Sequence, residues 1–376
     1  MKSIDLFSGI GGLTLALSPV CKPVLYCDKH PGAKAVLASA MDKGYIPRAE
    51  IFHDVRELSR HVAVAEKRNE ALFSGVEVVL AGFPCQDVSV MNIGGKGVHG
   101  DRSGLVFEVM RVAEATRASV VVLENSPNLS NRGIELVLTS LKKAGYAYIA
   151  WGVFSASDVG APHRRKRLYL VAVKSGPRAH RVCHELARGL KVYDDLPGWG
   201  KEPVARVVRK SKRIQSELQS RGVLLGNAVV PMCARKACQS LATSVIDQKK
   251  TRSKAASSFV HVVRRTGHEG DDDDERTRSD RHTLKLTIPT HKIMVGTGFE
   301  RRHAKNMWAT PLSGNWWVSR VGSSRAVQHL PNQIMYENRT LARIRSLGHP
   351  NVDDWVVNPC FVEWLMGYPI DYTLPS

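Results

Sequence analysis

No run of apolar residues in this sequence approaches the roughly 20 needed to cross a bilayer. The first residues, MKSIDLF, open directly into a strand-like pattern, without the charged, apolar and cleavable parts of a signal peptide. Both absences predict a soluble chain that works inside a cell. Cysteine is sparse and unpaired: seven residues, at positions 21, 27, 85, 183, 233, 238 and 360, with no CxxC spacing. An odd, scattered set argues against a disulfide framework and against a structural zinc site, and reduced thiols suit an intracellular compartment. Acidic residues are also in short supply, 35 against 54 lysines and arginines, for a formal charge of +19. That balance predicts a polyanionic partner, nucleic acid first, although a basic surface with no partner gives the same count. No internal repeat is visible.

What is present is an ordinary globular composition. The 376 residues, 43% of them hydrophobic, suffice for one large α/β domain and a smaller second one. Short apolar, β-branched runs at 2–7, 24–27, 76–81, 118–123 and 167–173 alternate with segments at 31–43, 104–117 and 131–144 that can hold helices. This alternation predicts a parallel or mostly parallel sheet covered by helices on both faces. Past residue 174 the pattern weakens. Residues 201–221 are basic and partly helical in pattern, 226–231 read as a turn, and 232–246 read as a helix. Residues 247–283 are charged with few large apolar side chains and read as a flexible segment. Apolar and aromatic residues return from 284 onward.

Four signals stand at strand ends. The first is Asp5-Leu-Phe-Ser-Gly-Ile-Gly-Gly12, whose glycines allow a sharp turn and close approach of a ligand at the end of the first strand. Asp28, ending the second strand, is placed to accept from ribose hydroxyls. A purely structural glycine turn would look the same. The second is Gly82-Phe-Pro-Cys85-Gln-Asp, a cysteine in a strand-to-loop turn stiffened by proline. A free cysteine is more often a small buried residue, but this one follows a turn and not an apolar face. The third is Leu123-Glu124-Asn125-Ser-Pro127, a carboxylate at the same sheet edge, where a helix-capping or loop acid is the plainer reading. The fourth is Gly160-Ala-Pro-His163-Arg-Arg165-Lys-Arg167, where strand alternation puts Arg165 and Arg167 on one face; a solvated charge run is the plainer reading.

In this order, the four signals over residues 1–173 resemble the cytosine-5 DNA methyltransferase family. The cofactor signature matches residues 5–13, the Pro-Cys-Gln loop 84–86 and the Glu-Asn pair 124–125. The Gln-x-Arg-x-Arg motif matches His163, Arg165 and Arg167, with histidine replacing glutamine. Arg102 and 105–108 look like the segment after the catalytic loop, and 226–231 like the closing motif. Residues 358–369 look like the segment that precedes the closing motif in most members; here it follows, more than 120 residues later.

The resemblance implies a Rossmann-like doubly wound methyltransferase sheet with a smaller target-recognition domain. It divides the chain into a catalytic domain at 1–246, the charged segment 247–283, a recognition domain at 284–357 and a segment 358–376 returning to the catalytic domain. It implies S-adenosylmethionine as cofactor, double-stranded DNA as partner, no metal and a monomer. Cys85 is then the nucleophile at carbon 6 of cytosine, Glu124 the acid at nitrogen 3 and Arg165 the donor to the exocyclic oxygen, with Arg167 beside it and both arginines favouring the thiolate. For the cofactor, Phe7 packs on adenine, Gly9, Gly11 and Gly12 shape the methionine loop, Asp28 holds the ribose, Asp54 reads the adenine amino group and Asn227 approaches the methionine end. The basic residues between His291 and Arg345 are candidates for gripping DNA, and Trp316 and Trp317 for the small domain's core. The same chemistry on RNA, or an inactive DNA-binding relative, are the alternatives.

Overall fold

The computed structural model describes residues 1–67, 73–84, 105–131, 133–190, 198–200, 202–252, 261–262, 340, 346–347 and 355–374. Its strands are β1 (Lys2–Leu6), β2 (Lys22–Cys27), β3 (Glu50–Phe52), β4 (Val78–Ala81), β5 (Val120–Asn125), β6 (Tyr146–Ser155), β7 (Lys166–Lys174), β8 (Val207–Arg209), β9 (His261–Val262) and β10 (Trp355–Val357). Its α-helices are α1 (Gly12–Leu17), α2 (Pro31–Asp42), α3 (Val55–Lys67), α4 (Leu105–Ala115), α5 (Ile134–Lys143), α6 (Pro177–Arg188), α7 (Lys212–Asn227), α8 (Pro231–Arg252) and α9 (Pro359–Leu365).

Eight strands form one sheet in the order β3-β2-β1-β4-β5-β7-β6-β9. From β3 to β5 every pairing is parallel. Strand β4 and the first four residues of β5 are apolar without interruption because both faces of the sheet are covered. Along β4, Val78 and Leu80 face one core and Val79 and Ala81 the other. The first core is closed by α1, α2, α6, α7, α8 and α9, the second by α3, α4 and α5. This is the doubly wound α/β architecture that the strand–helix alternation predicts.

At β7 the chain reverses. This strand runs antiparallel to both β5 and β6. The turn between β6 and β7 is made by a 3₁₀ segment, Ala156–Val159, and Gly160 at φ 90°, a left-handed conformation that suits glycine. Neither β6 nor β3 stands out in the sequence. The β6 residues YAYIAWGVFS carry four small residues that dilute the strand pattern, and β3 is three residues long.

The C-terminal portion packs on this body. Strand β10 pairs antiparallel with β8, Trp355 opposite Arg209. Asn358 then caps α9 through its side chain, which accepts from the Cys360 N–H, with Pro359 in the first turn. Helix α8 continues to Arg252, past the residue-246 boundary drawn from composition, and β9 adds a parallel edge to β6. The expected nucleophile Cys85, Arg102 of the segment after its loop, most of the 247–283 segment, the tryptophans at 316–317 and the basic residues of 291–345 lie outside the described residues. Among the described residues, no helix is long and apolar enough to cross a membrane.

Candidate active site

Strand order reverses between β1 and β4: the chain leaves β1 towards β2 on one side and β4 towards β5 on the other. The crevice at the carboxyl ends of such a pair is where open α/β sheets hold ligands. Residues 7–12 and 82–84 emerge side by side there, with the Gly82 N–H on the Leu6 carbonyl at 3.3 Å.

The β1 loop is held in an unusual shape. Phe7 has φ 52°, left-handed backbone that costs a non-glycine residue energy and gathers at functional sites. Gly11 has φ 81° and donates its N–H to the Ser8 carbonyl at 2.8 Å. The Gly9 N–H donates to Asp28 Oδ2 at 2.7 Å, while the His30 N–H takes Asp28 Oδ1 at 2.8 Å. Asp28 therefore ties the loops after β1 and β2 together, and each of its oxygens retains a lone pair for a further donor. A side chain at Gly12 would overlap the Tyr368 hydroxyl and Val229, whereas one at Gly9 would meet nothing within 4 Å. The loop is thus packed tightly from behind and open in front.

Asp54 caps α3 by accepting the Arg56 N–H at 2.9 Å, with Lys29 Nζ at 3.6 Å from its other oxygen. Partial burial works to raise its pKa, but that hydrogen bond and the lysine charge prevail and hold the carboxyl below its ordinary value. It stays ionised, an acceptor at the end of β3. Carboxylates ending β2 and β3, a half-buried aromatic ring at Phe7 and an open-fronted glycine turn fit a ligand with ribose hydroxyls, an amino-bearing ring and a polar tail, as S-adenosylmethionine has. Asn227 is exposed at the end of α7, between Gly226, whose carbonyl meets Arg165, and Val229, which backs Gly12.

At the neighbouring strand ends stands an acid–arginine cluster. Glu124 Oε1 accepts from Arg167 Nε at 3.0 Å. Burial raises the Glu124 pKa, outweighing the opposing charges of Arg167 and Arg165. Its other oxygen lies 3.3 Å from where a Cβ at Gly82 would stand, so glycine lets the acid approach this loop. Arg165 is buried at 1% exposure and spends Nη2 on the Gly226 carbonyl at 2.7 Å. Burial and the Arg167 charge push its pKa down to about 9, which leaves it charged at neutral pH. Arg167, with 21% of its side chain exposed, is the more accessible of the pair.

His163 explains its own substitution for glutamine. Its Nδ1 accepts the Arg165 N–H at 3.3 Å and its Nε2 meets the Leu365 carbonyl at 2.9 Å. One acceptor and one donor fix the neutral Nε2–H tautomer. Burial, assisted by the Arg165 charge, pushes the imidazole down to about 3. It serves as an uncharged strut between the motif and α9.

Sequence reasoning gave Asn125 no role of its own. Its Nδ2 donates to the Phe83 carbonyl at 3.0 Å and its Oδ1 accepts the Ser126 N–H at 2.7 Å, so it pins the chain one residue before Pro84. The signal was its place beside Glu124. The described cysteines make poor nucleophiles: five of six are buried, and burial drives the Cys21 and Cys27 thiols up to about 12. Cys85 directly follows the last described residue of the pinned loop.

Comparison with known proteins points the same way. Residues 1–186 match the family model described as C-5 cytosine-specific DNA methylase. Type II methyltransferase M.CviJI of Paramecium bursaria Chlorella virus IL3A is 23% identical over 99% of this chain and 97% of its own length. Type II methyltransferase M2.BsuMI of Bacillus subtilis is 37% identical over 182 residues, 46% of this chain and 42% of that one, so here the chain spans under half of its relative. A crystal structure of a putative prophage-encoded DNA modification methyltransferase (E. coli) is 21% identical over 46% of this chain and 47% of that one, with a TM-score of 0.37. The matched residues 1–186 carry the sheet, the loops and the acid–arginine cluster described above, and through them the chain is similar to the C-5 cytosine-specific DNA methylase family.

Proposed function

We propose that the chain transfers a methyl group from S-adenosylmethionine to carbon 5 of cytosine in duplex DNA, through a covalent adduct on Cys85. The observation that carries this reading is the Glu124–Arg167 pair: a buried carboxyl with a raised pKa, beside the loop that leads into Cys85. A raised pKa makes this carboxyl a better-matched general acid than an ordinary glutamate.

Carbon 5 of cytosine is a weak nucleophile. Addition of the Cys85 thiolate to carbon 6 forms the S–C6 bond and drives the ring's electron pair to nitrogen 3, where Glu124 supplies a proton. Carbon 5 becomes enamine-like and reactive. Arg167 orients Glu124 through Nε and donates Nη1 to the Lys166 carbonyl at 2.9 Å, which leaves Nη2 for the exocyclic oxygen of the ring. We assign that contact to Arg167 in place of Arg165, whose Nη2 is committed to Gly226. Arg165 and His163 then hold the cluster in register. S-adenosylmethionine, held by Phe7, Gly9, Gly11, Gly12, Asp28, Asp54 and Asn227, supplies an electrophilic methyl. Loss of the carbon 5 proton to a base, cleavage of S–C6 and return of the nitrogen 3 proton to Glu124 restore the aromatic ring. The target carbon is stacked inside a duplex, so the base must be flipped into this crevice.

The test is transfer of labelled methyl to duplex DNA, with RNA as a competing acceptor, by the full chain and by Cys85→Ser. The expected result is labelled DNA from the wild type and none from the serine variant, with S-adenosylmethionine binding retained. Label entering RNA alone would reverse the substrate assignment, and an active serine variant would end the covalent mechanism.

A further inference from the structure

The back of the glycine loop is built by residues far away in sequence. Tyr372 is fully buried, and its hydroxyl donates to the Ile10 carbonyl at 2.8 Å. The next peptide N–H, that of Gly11, is taken by the Ser8 carbonyl. The Ile10–Gly11 peptide is therefore gripped at both ends, and it precedes the left-handed Gly11. Beside it Tyr368 packs its ring at 4.9 Å from that of Tyr372, donates to the Val229 carbonyl at 3.0 Å and fills the space behind Gly12.

The backbone around Tyr372 is itself fixed. Glu363, fully buried on α9, accepts from the Asp371 N–H at 2.7 Å, the Thr373 N–H at 2.7 Å and Arg221 Nη2 at 2.8 Å. From the C-terminal cap of α2, Lys43 Nζ reaches the Asp371 carbonyl at 2.9 Å and the Leu374 carbonyl at 2.8 Å. Residues on both sides of Tyr372 are thus anchored to α2, α7 and α9, so its hydroxyl presents a fixed donor and not a loosely held one.

We propose that Tyr372 is a positioning residue for the cofactor site: its hydroxyl sets the orientation of the Ile10–Gly11 peptide and so the shape of the loop that receives S-adenosylmethionine. The inference rests on the reading that residues 5–13 hold this cofactor. Packing alone would need only a phenyl ring. The hydroxyl adds the directional contact, as buried tyrosine O–H groups usually do. Tyr372 touches neither substrate nor reacting atoms; it acts through Ile10.

Tyr372→Phe in the full chain tests this. A neutral hydrogen bond of this kind translates into roughly a three- to tenfold effect on an equilibrium constant. The expected outcome is a rise of about that size in KM and Kd for S-adenosylmethionine, with kcat within about twofold of wild type. Tyr146→Phe is the matched control, because Tyr146 is also buried and donates to a carbonyl, that of Ala118 at 3.0 Å, away from the loop. It is expected to lower the melting temperature similarly and to leave KM unchanged. A second readout is amide hydrogen exchange of residues 7–13, expected to quicken in Tyr372→Phe and not in Tyr146→Phe. An unchanged KM and unchanged exchange in Tyr372→Phe, or an equal rise in KM in Tyr146→Phe, overturns the inference. If the wild type binds no S-adenosylmethionine by calorimetry, the cofactor reading falls and this inference with it. If the wild type binds it and Tyr372→Phe binds equally well, only the positioning role falls.

Discussion

Burial lifts the Glu124 carboxyl while Arg167 and Arg165 pull it down, and burial prevails. The sign of this outcome matters for both rate and stability. A raised pKa means the acid form persists above the usual carboxylate range, so proton donation is available below the folded pKa and is lost as pH rises through it. Between the unfolded value near 4.3 and the folded value, the native state holds the proton more tightly, so this group's contribution to stability falls with rising pH across the same window. Glu124→Gln is expected to lose more than about 100-fold in kcat. It is also expected to abolish the alkaline limb of the kcat/KM profile that Glu124 sets, because the amide does not titrate. A pH–rate series on both proteins checks this; a variant that keeps the limb would place the acid elsewhere. The His163 imidazole, pushed down to about 3, contributes no titration near neutrality.

Among the secondary-structure elements, α9 shows how a short helix can be held by charge as well as by apolar contact. Its Phe361, Val362 and Leu365 are buried, yet Glu363 on the same helix is also fully buried and paired with Arg221 of α7 at 2.8 Å. Removing one partner of such a pair strands the other in a low-dielectric interior, at a cost of roughly 3–5 kcal/mol. Arg221→Met is therefore expected to lower the melting temperature markedly; calorimetric melting checks it, and an unchanged melting point would show that Glu363 does not depend on Arg221. None of this was legible in the sequence, where Arg221 reads as one more basic residue in a basic stretch and Glu363 as a polar interruption of an apolar face. The parallel half of the sheet was legible, because strands buried on both faces leave unbroken apolar runs such as 78–81 and 120–123. The reversal at β7 was not, since nothing in residues 166–174 distinguishes an antiparallel from a parallel central strand. Glu124 and Arg167 were legible as types at strand ends. The commitment of Arg165 to Gly226 was not, because that contact joins residues 61 apart in the chain.

Among the described residues, the glycine loop, arginine motif and helix α7 of the sheet domain are all touched by residues 358–374. Leu365 meets His163, Tyr368 meets Val229, Tyr372 meets Ile10 and Thr373 meets Arg221. A chain ending at residue 354 loses seven large buried side chains of this segment: Phe361, Val362, Trp364, Leu365, Met366, Tyr368 and Tyr372. At roughly 1.5–3 kcal/mol for each, that is comparable to or larger than the roughly 5–15 kcal/mol by which proteins are stable, so the truncated chain is expected to melt far lower or to be unfolded. Any folded remainder is expected to show no stabilisation by S-adenosylmethionine. Thermal melting with and without the cofactor checks both; an unchanged melting point and an unchanged shift would mean that the segment contributes nothing to the sheet domain.

The tie between Tyr372 and Ile10 spans 362 positions of the chain. At a synthesis rate of about 5–20 residues per second, a ribosome finishes Ile10 roughly 20–70 s before it adds Tyr372. During that interval the nascent chain already carries Cys85, Glu124 and Arg167, but its glycine loop lacks the anchor behind it. Prematurely released chains carry the chemical groups without this support. A chain released before residue 372 therefore lacks the Tyr372–Ile10 tie, whatever chemical groups it already carries.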